Sequence, residues 1–171
     1  MLILSLLMAV AYVAAVIIKD RALPDSISAL VYALPAGRWR WLWSAWLALV
    51  TLLMAPALTA ALTAAWWTSL LADATVICLA MTAALPLLPG YHNRLHNALG
   101  ILSGILSQVC VWFVCPWWLM LWLLYALLLF AMAFPDVRWC NKIVTAFGGK
   151  GVLVAEIICS ITAYGTLLTH G

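Results

Sequence analysis

Six runs of apolar residues, separated by short polar connections, divide the chain at 2–18, 41–62, 66–88, 97–115, 117–134 and 151–169. A helix needs roughly 17–25 residues to cross a bilayer core, so each run is long enough, the first only just. None shows the short alternating segments of a membrane barrel. The fourth and fifth runs meet at Cys115-Pro116-Trp117, where proline must end or kink a helix. The pattern predicts an all-α polytopic bundle of six transmembrane helices forming a single domain over 1–171. No positive residue precedes the first run and no clear small-x-small cleavage site stands directly before Lys19, so that run reads as a span and not as a convincing cleaved signal.

Composition changes the solvent. The chain is 68% hydrophobic and 8% charged, with a mean hydropathy of +1.16. A soluble domain carries about 25% charged residues. A soluble core of this size could not hide so much apolar surface, so the surrounding medium is lipid. No separate soluble domain fits, and no nucleic-acid partner is expected.

The distribution of charge predicts orientation. The 8 basic residues fall in three connections: Lys19, Arg21, Arg38 and Arg40 in the first, Arg94 in the third, Arg138, Lys142 and Lys150 in the fifth. The second and fourth connections and both termini carry none. With six spans, the first, third and fifth connections share one face, which the positive-inside rule makes cytoplasmic. Both termini are then outside, in an inner (cytoplasmic) membrane. Trp39, Trp41, Trp43 and Trp139 fall at the inner boundary, and Trp66, Trp67, Trp117 and Trp118 at the outer one. These read as aromatic belts. The basic face should attract anionic lipid headgroups.

The first connection contains Leu23, Ile27, Leu30, Val31 and Leu34 at helical spacing, with Asp25, Ser26 and Ser28 off that stripe. Asp25 or Ser26 can cap a short helix and Pro35-Ala36-Gly37 ends it. This predicts an amphipathic helix lying in the inner headgroup zone.

Polar groups inside the spans are the sharper signals, because they are costly in lipid and usually face the bundle interior. Asp73 is expected in the outer third of the third helix, Gln108 near mid-depth in the fourth, and Glu156 in the inner third of the last, roughly 9 Å in at 1.5 Å per residue. Gly100 and Gly104 form a GxxxG pair, with Ser103 and Ser107 beside it, that lets another backbone approach. An internal contact is expected there before a dimer seam. Glu156 and Ser160 share a face, which places the last helix in the interior. The fifth helix has almost no polar atom beyond Tyr125 and should face lipid.

His92 and His96 stand four apart in LPGYHNRLHN, between the third and fourth runs. They share a helix face if the fourth helix starts near Asn93. Such a pair can hold a metal, and zinc chemistry needs three protein ligands, with Glu156 or Asp25 the candidate third. His92, His96, Glu156, Asp25 and Ser28 are also the candidate catalytic set for acid–base work on a lipid headgroup. The default reading is a solvated or capping pair in a polar turn. No motif demands a cofactor. The 5 cysteines contain no CxxC pair and read as small buried hydrophobes.

The stretch PDSISALVYAL, the histidine-containing connection and AEIICS in the last helix resemble a family of small polytopic inner-membrane proteins of gut anaerobes. That resemblance implies a fold and a location. A fainter one is to the membrane hydrolases comprising alkaline ceramidases, hemolysin III-like proteins and progestin/adipoQ receptors, which implies zinc held by three histidines among seven helices. Here six spans are counted, and the third histidine, His170, falls at the opposite face. Three functions stay open. The chain could be a non-catalytic interaction or accessory protein, with a membrane-protein partner or a second copy. It could be a lipid hydrolase with a cytoplasmic-face His/Glu site. It could be a small proton- or ion-coupled transporter using Asp73, Gln108 and Glu156.

Overall fold

The computed structural model describes residues 1–20, 24–27, 40–88, 93–134, 136–147 and 150–170. Among them there is no strand. The helices are α1 (Leu2–Asp20), α2 (Arg40–Ala61), α3 (Trp66–Ala84), α4 (Asn93–Val114), α5 (Trp122–Ala133), α6 (Arg138–Phe147) and α7 (Gly151–His170). Short 3-10 turns extend α3 over Leu85–Leu87 and precede α5 over Pro116–Leu121. Six stretches are long and apolar enough to cross a membrane: Leu2–Lys19, Trp41–Ala61, Trp66–Leu87, Arg94–Val114, Pro116–Ala133 and Gly151–His170. The chain is a multi-pass membrane protein, and the six predicted runs match these stretches closely. Proline acts as expected: α4 stops at Val114 and a new turn begins at Pro116.

One element was not anticipated. α6 carries Arg138, Asn141 and Lys142 on an exposed face and a fully buried Cys140 on the other. It is too short to span and packs on α5, with Trp139 stacked 6.0 Å from Phe130. The amphipathic helix expected between 23 and 34 lies mostly outside the described residues.

Consecutive helices α1 to α4 pack in order, and α7 returns to pack on α4 while touching α1 and α2. The third and last spans are the most enclosed, each with 39% of its length buried, against 11% for the fifth. The last helix is therefore interior, although Ser160, on the face from which this was expected, is exposed; the fifth span, which composition set against lipid, is with the first the least enclosed. One core gathers Met54, Leu58, Leu62, Ala72, Cys110, Tyr164 and Leu167 towards the Trp66 end of the bundle. There Ser5 is fully buried on α1, and its hydroxyl meets Val50 O at 2.8 Å and Tyr164 OH at 2.6 Å. The GxxxG face is internal. A β-carbon on Gly100 would stand 3.9 Å from Thr82 of α3, and one on Gly104 3.7 Å from Cys159 of α7. Ser103 and Ser107 donate to the carbonyls of Gly100 and Gly104 at 2.8 and 2.7 Å, so neither hydroxyl is left bare beside it.

Candidate functional site

At the basic end of the bundle, α2 starts, α3 ends, and α4 and α7 start. The described part of the first connection, Pro24–Ile27, lies across this end. The Ile27 N–H donates to Glu156 Oε2 on α7. Lys150 Nζ pairs with Asp25 Oδ1 at 2.5 Å. Ile27 also packs on an apolar cluster of Val16 and Trp43 that includes Tyr12, Trp46 and Leu47. The connection is thus held by a carboxylate–backbone bond, an ion pair and one apolar side chain. A carboxylate so used serves to anchor chain, since its charge strengthens the bond to a backbone donor.

These two polar ties are unequal. The Asp25 side chain is 80% exposed and that of Lys150 28%, so the pair is worth about 0–1 kcal/mol and weakens with salt. Glu156 is half-buried. Glu156→Ala should speed tryptic cleavage after Lys19 and Arg21 in vesicles that expose the basic end, whereas Asp25→Asn should leave the rate nearly unchanged. Equal rates for both variants would show that Glu156 does not anchor the connection.

His96 is not solvated. It is 1% exposed, because α4 begins at Asn93 and carries it inside the first turn. Its Nδ1 lies 3.1 Å from Thr82 O, and its ring stands 5.2 Å from that of Trp43, tilted by 55°. The hydrogen bond joins α4 to the last turn of α3, while the ring fills the space against α2. His92 and Ser28 lie outside the described residues. Among the described residues, no three of His, Cys, Asp and Glu come together as a group able to hold a metal.

Trp43 is a second correction. It is 1% exposed and belongs to the core, whereas Trp41, Trp66, Trp117 and Trp139 are exposed as belt residues should be. A sequence signal for this existed. Trp43, Leu47, Val50, Met54 and Leu58 recur at three- and four-residue steps, the spacing of one helix face. Trp46 flanks that face, donating Nε1 to Met8 O at 3.0 Å and stacking 4.5 Å from Tyr12.

No family model, curated protein or solved structure matches this chain.

Gln108 is the busiest polar side chain of the interior. Its Oε1 accepts from Trp122 Nε1 and from Thr162 Oγ1, both at 2.9 Å. Its Nε2 donates to Ser107 Oγ at 3.2 Å and Cys159 O at 3.4 Å. One amide thereby ties α4 to α5 and α7. Asp73 does the reverse of what its depth led us to expect. It is exposed on the outer surface of α3, while Gln108 points inward. The two do not line one passage. Ser160 is likewise exposed, and its hydroxyl donates to Glu156 O at 2.8 Å within α7.

A cavity of about 20 Å³ lies between α2, α3, α4 and α7, bordered by Met54, Thr75, Ser107, Cys110 and Thr166. Its volume is that of about one water molecule. The buried Thr166 hydroxyl on its wall has no hydrogen-bond partner among the described residues.

Proposed function

We propose that this chain is a non-catalytic interaction or accessory protein of the inner membrane, with both termini outside. The Gln108 node carries the reading: this half-buried amide makes four contacts to its own helices and none is directed at a passage. Glu156 supports it by anchoring the first connection, and His96 by joining α3, α4 and α2. Each group singled out for acid–base work or ion passage among the described residues, Asp73 and the exposed Asp25 apart, serves packing inside the bundle. The orientation rests on the basic residues, all of which belong to the first, third and fifth connections.

Crosslinking in native membranes tests this reading. The chain should be recovered in a complex larger than itself, and recovery only as a free monomer overturns the proposal. Orientation has its own test. Alkaline phosphatase, which folds only on the oxidising side, should be active when fused after residue 171 and inactive when inserted between Phe147 and Lys150. The opposite pattern reverses the topology.

A further inference from the structure

Asp73 stands seven residues into α3 from Trp66, so about 10 Å below that indole at 1.5 Å per residue. Trp66 is 77% exposed and marks the headgroup level. Around Asp73 the same face presents Leu70 and Ile77, 56% and 57% exposed, one turn to either side. An acidic side chain is thus set in an exposed apolar stripe that faces away from the other described helices. Asp73 has no hydrogen bond or ion pair among the described residues. Charged groups at such depth are costly unless another group meets them.

A second copy brings no lysine or arginine to this depth. All 8 basic residues lie in the three connections at the far end of the bundle. That strong bias fixes one orientation, so a neighbouring copy brings its basic end to the same far side. His170 ends α7 near the Trp66 side, but it is exposed at the helix terminus, at the level of the headgroups and not of Asp73.

We propose that the Asp73 face of α3 docks a transmembrane helix of a different protein, one that carries an arginine or lysine at the depth of Asp73. The inference rests on the accessory reading and names the chemistry of the partner. Leu70 and Ile77 supply the apolar flanks, and Asp73 selects the partner by charge. Outside such a complex the carboxylate meets lipid, so association relieves a cost that the apolar stripe alone would not create.

The test places a photo-crosslinking residue at Leu70 or at Ile77 of the full chain in its native membrane, with Leu124 of lipid-facing α5 as control. Both α3 positions should capture one protein whose captured span contains Arg or Lys, and Leu124 should not. Asp73→Asn should lower the yield about tenfold, and Asp73→Glu should keep it. Replacing the partner's basic residue by Gln should give the same loss, and the double variant no further loss, since the two side chains act as one pair. Unchanged melting of purified Asp73→Asn in detergent shows that the fold is intact, and the Glu variant keeps the comparison available if it is not. Adducts with lipid alone, with a second copy, or with a span lacking Arg and Lys overturn the inference. So does a yield that Asp73→Asn leaves unchanged. If a larger complex persists in any of these cases, the accessory reading stands without this surface. If the chain is only a monomer, both fall.

Discussion

Gly165→Ala is expected to destabilise the bundle by about 1–3 kcal/mol, the usual cost of forcing atoms into a filled site. A β-carbon at Gly165 would stand 2.6 Å from both Cε2 and Cζ2 of Trp118. Those atoms belong to a rigid fused ring, so the contact cannot be relieved by a small turn at the end of a flexible chain. Trp118 is also tethered, its Nε1 donating to Thr169 Oγ1 at 3.4 Å one turn beyond Gly165. The glycine is what lets the turn before α5 lie against α7. Denaturant unfolding in detergent micelles measures the effect. The double variant Gly165→Ala with Trp118→Leu should be less destabilised than the sum of the two single changes, because the smaller side chain vacates the clash. Full additivity, or a neutral Gly165→Ala, would mean that the indole does not sit on this glycine.

Gln108→Leu should cost about 1–2 kcal/mol by the same measurement, for a different reason. Thr162 loses one acceptor but keeps Ile158 O at 2.8 Å within its own helix. Trp122 has no such alternative in α5, and its indole N–H is left beside apolar groups. Hydrogen bonds between membrane helices average about 0.6 kcal/mol and reach about 1.7, and leaving a buried donor unpaired costs about 1–3 kcal/mol in all; Trp122 is only half-buried, which sets the expected loss at the lower end. Trp122→Phe removes that donor. If the orphan dominates, Gln108→Leu in the Trp122→Phe background should cost less than half of what it costs alone. An undiminished cost would place the weight on the contacts to Ser107 and Cys159 instead.

The two variants touch different physics, and the sequence made them unequally visible. The spans were legible because roughly twenty apolar residues in a row have few alternatives to crossing lipid. Gln108 stood out because an amide in such a run is rare. Its partners did not, since a tryptophan fourteen positions away looks like any belt residue until the helices are packed. Gly165 gave no sign at all: one glycine in a helix says nothing about the ring it faces. Asp73 is expected to face the interior and instead lies on the exposed surface of α3. Large apolar residues occur round much of α3, but the small residues Thr68, Ala72, Thr75 and Thr82 recur at helical spacing on its buried face, and that stripe is the signal that told inside from outside. Trp43 was misread for the complementary reason, because its position near Arg40 suggested a headgroup level while its spacing with Val50 and Met54 suggested the core. α6 was missed because ten residues with interspersed charges are too few to span and too mixed to stand out as an apolar run. His96 turned on a single boundary. With α4 beginning at Asn93, the side chain rotates under Trp43, and four residues of delay would have left it in the connection.

The bond between Ser5 and Tyr164 joins positions 159 apart in the chain. It therefore has a date in the life of the molecule. When α1 and α2 first meet, the Ser5 hydroxyl can already reach Val50 O. Its second partner does not exist until three more spans and nearly all of the last have been synthesised. The first pair of helices must wait in the membrane, held mainly by its own contacts, until the span that carries Tyr164 has been inserted.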